Sequence, residues 1–226
     1  MASKGSSRHI KRLAVGQYPK VSRKTSTYLA KPRPGRHNLA NSVALLVVLR
    51  DKLGIAANSK EAKRIIVTGE IEVNGLKVLD EKYPVGFGDV IKLKPTGEAY
   101  SIGVGKKGAM SVEKATKESA RTLKVIGKYV VKKNRIMARL LDGTVLEASK
   151  DVKVNDSVVL DKGAIKKTLK FEEGAKCLVI RGTHSAETGT IKEISKGTAV
   201  RAQTVRVGSG SSEFETIADN IMIVGA

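Results

Sequence analysis

No aspartate or glutamate occurs in the first fifty residues, which hold eleven lysines and arginines: Lys4, Arg8, Lys11, Arg12, Lys20, Arg23, Lys24, Lys31, Arg33, Arg36 and Arg50. A stretch this one-sided repels itself. It settles into one shape only where a polyanion neutralises it, and a phosphate backbone is the obvious candidate. Pro19, Pro32, Pro34, Gly35 and scattered Ser and Thr break every helical or strand period across residues 1–40. The expectation is a basic N-terminal extension that is disordered alone and ordered on its partner. His9-Ile10-Lys11-Arg12-Leu13 and Pro34-Gly35-Arg36-His37 mix cations with apolar and turn residues, which points to fixed contacts rather than a solubilising tail.

The rest of the composition narrows the fold. Net charge is +20 over 226 residues, so the whole chain follows the arm. Hydrophobic residues make up 41%, enough for cores, but aromatics are only 4% and Trp is absent. Val, Ile and Leu must therefore build those cores, which suits short strands in small barrels. The longest apolar run, 43–49, is stopped by Arg50 and Asp51 and falls short of the roughly 18 residues a spanning helix needs. Basic residues interrupt every apolar cluster near the N-terminus, so no signal-peptide core is expected. The single cysteine, Cys177, reads as a small core residue in a reducing compartment.

Residues 41–107 read as one compact α+β unit. Periodicity predicts a helix over 42–53, stopped by Gly54. Asn58 and Glu61 have the spacing of a capping box at the start of a second helix. Ala62, Ile65 and Ile66 give that helix its apolar stripe, while Lys60, Lys63 and Arg64 share another face. Gly69 ends it. Strands at 71–73 and 76–78 flank Asn74-Gly75, the strongest short hairpin signal. A turn over 83–89 leads to a further strand at 90–93.

A linker with a short helix begun by Thr116 is expected between 101 and 121. Beyond it the chain reads as β throughout. Strands are predicted at 123–131, 136–141, 144–148, 158–160 and 165–171, forming a central β domain over 108–171. Five more, at 176–180, 190–194, 200–207, 214–217 and 221–224, suit a small SH3-like barrel over 172–226.

Catalytic and metal constellations are missing from the sequence. Gly103-Val104-Gly105-Lys106-Lys107-Gly108 spells a dinucleotide fingerprint, but that motif needs an acid about 20 residues on, and residues 121–141 contain no Asp or Glu. It reads as a basic linker. Three histidines and one cysteine supply no zinc set. No nucleophile elbow, metalloprotease helix or kinase set occurs. Glu172-Glu173 reads as a solvated turn. Neither cofactor nor small-molecule substrate is expected.

The stretch from Asn58 through Val73-Asn74-Gly75 to Gly88-Asp89-Val90-Ile91 resembles the small RNA-binding domain named from a bacterial small-subunit ribosomal protein. Gly174-Ala175-Lys176-Cys177-Leu178-Val179-Ile180-Arg181-Gly182 with Gly189-Thr190-Ile191 resembles the KOW motif. That family usually has a further Gly where this chain has Ala186, which leaves the loop conformation open. The order of parts is similar to the archaeal and eukaryotic S-four-e family of small-subunit ribosomal proteins. Departures are Tyr18 and Tyr28 where Trp is common, and Arg36 where Pro is usual; the C-terminus looks archaeal.

The resemblance implies an α+β fold in four parts: basic extension, RNA-binding domain, central β domain and KOW barrel. It implies a structural protein of the cytoplasmic ribosome, partnered by small-subunit rRNA and neighbouring ribosomal proteins, with no membrane. Two alternatives use the same domain: an RNA-modifying enzyme and a KOW-bearing transcription or translation factor. The expected RNA contacts are Arg8, His9, Lys11, Arg12, Arg23, Lys24, Arg33, Arg36, His37, Arg50, Lys52, Ser59, Lys60, Lys63, Arg64, Asn74, Lys77, Arg181 and His184. Cations on phosphates and turn amides would recognise backbone and shape, and the low aromatic content argues against base stacking as the main mode.

Overall fold

The structure, a computed structural model, describes residues 7–115, 121–161, 163–198, 200–210 and 212–225. These form two compact units. The first runs to Gly103 and resumes at Ala109; the second comprises Val104–Gly108 and everything from 121 onward. The described chain is mostly β with few helices.

The first unit begins with a short hairpin, β1 (Ile10–Lys11) and β2 (Tyr28–Leu29), in which Ile10 faces Leu29. Its strand β3 (Ser42–Ala44) leads into α1 (Leu45–Val47) and a wider π turn over Val48–Lys52. Helix α2 spans Ser59–Thr68. Then come β4 (Ile71–Val73), β5 (Leu76–Lys77), β6 (Pro84–Gly86), β7 (Val90–Leu93), β8 (Ala99–Val104) and β9 (Met110–Lys114). Five of these form a sheet in the order β5-β4-β7-β8-β9.

Local chemistry explains α2. Asn58 Oδ1 accepts the Glu61 amide at 3.0 Å, and Glu61 reaches back to the Ala57 amide at 2.8 Å. Two orphan donors at the helix start are thereby satisfied. Gly69 ends the helix at φ 76°, a left-handed conformation in which a side chain would be strained. Ala62 and Ile66 are fully buried along its inner face. Asn74 and Gly75 take φ of 54° and 80°, as the predicted turn requires.

Two expectations need correction. The helix predicted over 42–53 is α-helical only at Leu45–Val47, because Ser42, Val43 and Ala44 pair as a strand with Gly86, Val85 and Pro84. Every residue from 43 to 49 is buried, so no polar face exists to give the run a helical period. The arm, expected as an extension apart from the core, also packs over residues 7–40 against the rest of the unit. Val15 and Leu29 join the main core of the unit, beside Leu45, Leu49, Ile66, Ile71 and Ile91. Burial of those side chains offsets the repulsion that the sequence emphasised.

In the second unit one sheet has the order β12-β11-β10-β13-β14. Its strands are β10 (Arg121–Val131), β11 (Arg135–Leu140), β12 (Val145–Glu147), β13 (Ser157–Asp161) and β14 (Ala164–Leu169). The other has the order β18-β17-β16-β15-β19. It is built from β15 (Lys176–Val179), β16 (Thr188–Ser195), β17 (Thr204–Ser209), β18 (Ser212–Ile217) and β19 (Ile221–Ile223). Every strand predicted beyond residue 121 is present within a few residues, except that β17 starts at Thr204 rather than 200.

Each sheet has its own aliphatic cluster, around Leu123, Val125, Leu140 and Leu160 in one, and Cys177, Ile191, Val205, Val207 and Ile221 in the other. Cys177 is thus a buried core thiol, and burial pushes its pKa up. Polar ties join the sheets. Asp156, 2% exposed, accepts the amides of Lys153 and Phe171 at 2.8 and 2.9 Å. The Ile223 amide donates to Ser157 Oγ at 2.9 Å. The glycine-rich stretch at 103–108 is a turn between the consecutive, hydrogen-bonded strands β8 and β9, with no crossover helix. The helix expected from Thr116 lies outside the described residues.

Candidate nucleic-acid interface

Helix α2 turns Lys60, Lys63 and Arg64 to solvent, opposite Ala62 and Ile66. Lys63 lies 3.5 Å from Glu81; among the described residues no ion pair engages Lys60 or Arg64. These cations stand in the first two turns, where the helix dipole already favours an anion. Ser59 opens the helix and accepts Arg50 Nη1 at 2.7 Å, so its hydroxyl holds the arginine that follows α1.

Arg50 belongs to a cluster around Asp51. Its Nη2 donates to Asp51 Oδ2 at 2.9 Å, and Arg12 Nη2 reaches the same oxygen at 3.5 Å. Arg12 is 5% exposed, with Nε on Ser26 Oγ and Nη1 on the Ser22 carbonyl, both at 2.7 Å. Lys52 Nζ donates to the Lys20 carbonyl at 3.1 Å. Burial alone would raise the Asp51 carboxyl, but the Arg50 hydrogen bonds and the fields of Arg50 and Arg12 hold it below its ordinary range. Burial, then the Lys20 charge, pushes Lys52 below the usual lysine value. A cleft of about 480 Å³ opens here, lined by Arg12, Lys20, Ser22, Ser26, Arg50 and Asp51. One carboxylate cannot neutralise three cations, so the cleft keeps a positive surplus that suits a phosphate.

Several predicted contacts turn inward. His37 is buried, its Nε2 2.8 Å from Asp89 Oδ2. Asp89 also accepts Asn74 Nδ2 at 2.7 Å and the Gly86 amide at 2.9 Å. Asn74 Oδ1 accepts the Val90 amide at 3.0 Å. His37 and Asn74 thus fasten the arm and the 74–75 turn to one buried carboxylate. Gly86 is part of this: a Cβ there would stand 2.5 Å from His37 Nδ1. Arg12 is likewise an internal anchor.

The remaining predicted residues lie at the surface. Arg8, Lys11, Lys24 and Lys77 are exposed and Arg36 is half-buried; no carboxylate pairs with any of them among the described residues. Arg23 Nη2 reaches the Val15 carbonyl at 3.5 Å. Arg33 pairs with Asp80 at 2.8 Å, and His9 meets Tyr28 edge-on. In the second unit Arg181 is exposed. The His184 ring stacks on Phe214 with centroids 4.1 Å apart, and Nδ1 lies 3.3 Å from Glu187. Ala186 takes φ 72° and its amide donates to the Val179 carbonyl at 2.8 Å, so this loop adopts the left-handed turn that Gly would take more readily.

Lys128, Lys132, Arg135 and Arg139 escaped the predicted set, although they form a basic hairpin. The signal was present: residues 121–141 carry seven lysines and arginines and no acid.

Two family models match the chain. One, described as the S4 domain, covers residues 45–91; the other, described as Ribosomal family S4e, covers residues 96–164. The chain is 34% identical to the small ribosomal subunit protein eS4 of Methanocella arvoryzae, over 96% of this chain and 94% of the relative. It is 35% identical to that of Archaeoglobus fulgidus, over 96% and 93%. A crystal structure of the 30S ribosomal protein S4e from Thermoplasma acidophilum is similar at a TM-score of 0.70 and 32% identity, covering 82% of this chain and 96% of that one.

Proposed function

The chain belongs to the S4e family of ribosomal proteins, and from that premise we propose that it is a structural constituent of the small ribosomal subunit, binding rRNA through phosphate and shape recognition. It is not an enzyme, as membership of a family of ribosomal structural proteins entails. Its partners are rRNA and neighbouring ribosomal proteins, and its place is the cytoplasmic ribosome. Among the described residues no helix is long and apolar enough to cross a membrane. Residues 41–107 serve as the S4-type RNA-binding domain, 108–171 as a central β domain and 172–226 as a KOW barrel of SH3 type. The first unit offers the principal contacts, with Arg181 and the His184 loop as secondary ones.

One observation carries this reading. Arg8, Lys11, Arg23, Lys24, Arg36, Lys60, Arg64 and Lys77 have no carboxylate partner among the described residues. A surface so unneutralised fits a polyanion. About eight phosphate contacts give a slope of log K against log salt of roughly −6 to −7. Salt titration of binding to small-subunit rRNA measures this directly, and a slope shallower than about −3 removes the phosphate-dominated account. Co-sedimentation with small subunits after a high-salt wash tests the constituent role; recovery only in the free pool contradicts it.

A further inference from the structure

We infer that the β10–β11 hairpin is a separate RNA-docking element, whose outer face closes on rRNA phosphates with a ribose or base against Tyr129. This rests on the rRNA-binding reading above.

The pairing register defines the face. Gly127 lies opposite Arg139, Tyr129 opposite Met137 and Val131 opposite Arg135, so these six residues share one side of the ribbon. Ala138 belongs to the other side and is fully buried, which makes that side the core face. The outer face is open: Tyr129 is 46% and Val131 38% exposed. Val130, on the core side but beyond the core, is 62% exposed. The outer half of the hairpin therefore presents apolar surface on both sides, an arrangement that calls for a cover.

Charge identifies the cover. Among the described residues neither Arg135 nor Arg139 has a carboxylate in ion-pair range. Glu147 pairs opposite Met137 on this face, yet it forms no salt bridge there. Lys128 Nζ donates to the Lys150 and Val152 carbonyls at 2.6 and 2.8 Å, which fixes its position without cancelling its charge. The Arg139 guanidinium lies beside Gly127, where an added Cβ would be 3.9 Å from both Nε and Nη2. Gly127 needs no left-handed backbone, so what it provides is a strand surface without a side chain next to that guanidinium. Two arginines bracketing an exposed tyrosine on the β10–β11 ribbon, itself free of acids, match a partner with phosphates outside and flat apolar rings inside. A protein partner would have to be strongly acidic to sit there.

The test uses the full chain and naked small-subunit rRNA. Arg135→Ala with Arg139→Ala should weaken binding about 10- to 100-fold and make the salt slope shallower by about 1.4 to 1.8, as two lost phosphate contacts require. Tyr129→Ala should weaken binding at least about 5-fold and leave the slope unchanged. In the wild type, rRNA should slow amide exchange across 127–137, a readout that needs no variant. If the hairpin variants bind like wild type and 127–137 gains no protection, while Ala substitutions at Lys60, Lys63 and Arg64 weaken binding, the hairpin inference is overturned and the rRNA reading survives. If the hairpin variants bind naked rRNA normally but fail to enter reconstituted subunits, the hairpin docks on protein and the inference is again overturned. If the wild type shows no preference for rRNA over unrelated RNA, the functional reading itself falls.

Discussion

The N-terminal arm and the β10–β11 hairpin are both long acid-free stretches, yet they use their cations in opposite directions. In the arm, Arg12 and His37 turn inward to Asp51 and Asp89, and apolar Val15 and Leu29 follow them into the core. In the hairpin, Arg135 and Arg139 lie on the outward side of the strands and Lys132 in the turn between them, with no carboxylate in ion-pair range among the described residues. Two cations of that run are exceptions: Arg121 lies 3.0 Å from the buried Asp142, and Lys124 is 2% exposed. Charge in the sequence thus measures attraction for a polyanion. It does not tell which cations are internal fasteners, because that depends on carboxylates supplied from elsewhere in the chain.

The contrast breaks most sharply at Asp89, which takes a ring nitrogen, a side-chain amide and a backbone amide at once. Asp89→Ala leaves those groups buried without a partner and should cost the first unit about 3–5 kcal/mol. Denaturant melts read this. A loss below about 1 kcal/mol would mean that the arm is held by its apolar residues alone.

Lys124 tests the exception within the hairpin run. Its Nζ donates to the Ala218 carbonyl at 2.6 Å. Burial lowers its pKa to about 8, against the opposing pull of Asp219 and with the help of Arg181. Between the folded value and the ordinary lysine value, the unfolded chain binds the proton and the folded chain does not, so stability rises with pH. The rise is about 1.4 kcal/mol per pH unit and totals about 3 kcal/mol between pH about 8 and about 10.5. Stability curves of wild type and Lys124→Met should diverge across that window, and parallel curves would show that Lys124 is not charged against a burial cost.

Arg12 should matter less than Asp89, since Asp51 retains Arg50 when Arg12 is removed. Arg12→Ala should cost about 2 kcal/mol through lost hydrogen bonds to Ser26 and the Ser22 carbonyl. Proteolysis reports the effect locally: cleavage between residues 7 and 40 should accelerate. An unchanged cleavage rate there would class Arg12 with the surface cations.

Legibility in the sequence followed the range of the interactions. The α2 cap and the Asn74-Gly75 turn rest on neighbours within a few residues, and the second-unit strands announce themselves by β-branched runs between turn residues even where their partners are distant, so all were readable. The strand at Ser42–Ala44 was not, because its partners are Pro84–Gly86. The inward roles of Arg12, Asn74 and His37 were hidden for the same reason, their carboxylates lying 39, 15 and 52 positions away. The face of Tyr129, Arg135 and Arg139 was hidden differently. Its acid-free composition was visible, but which residues share a side depends on a register with an irregularity between Val125 and Gly127.

Helix α2 supplies the smallest stability effect and the cleanest contrast with the arm. Lys60, Lys63 and Arg64 are exposed, and only Lys63 has an ion pair among the described residues, with Glu81 at 3.5 Å. Such an exposed pair contributes about 0–1 kcal/mol, and alanine is the best helix former, so the triple substitution by Ala should shift stability by about 0.5 kcal/mol or less. Binding should respond far more. Three cations near the start of one helix, removed together, should make the rRNA salt slope shallower by about 2 to 3. An internal fastener such as Arg12 would give the reverse result, a clear loss of stability with the slope changed only as far as the arm loosens. If the α2 variant loses stability like Arg12→Ala and keeps the wild-type slope, the division between inward and outward cations fails at the helix where it is best defined.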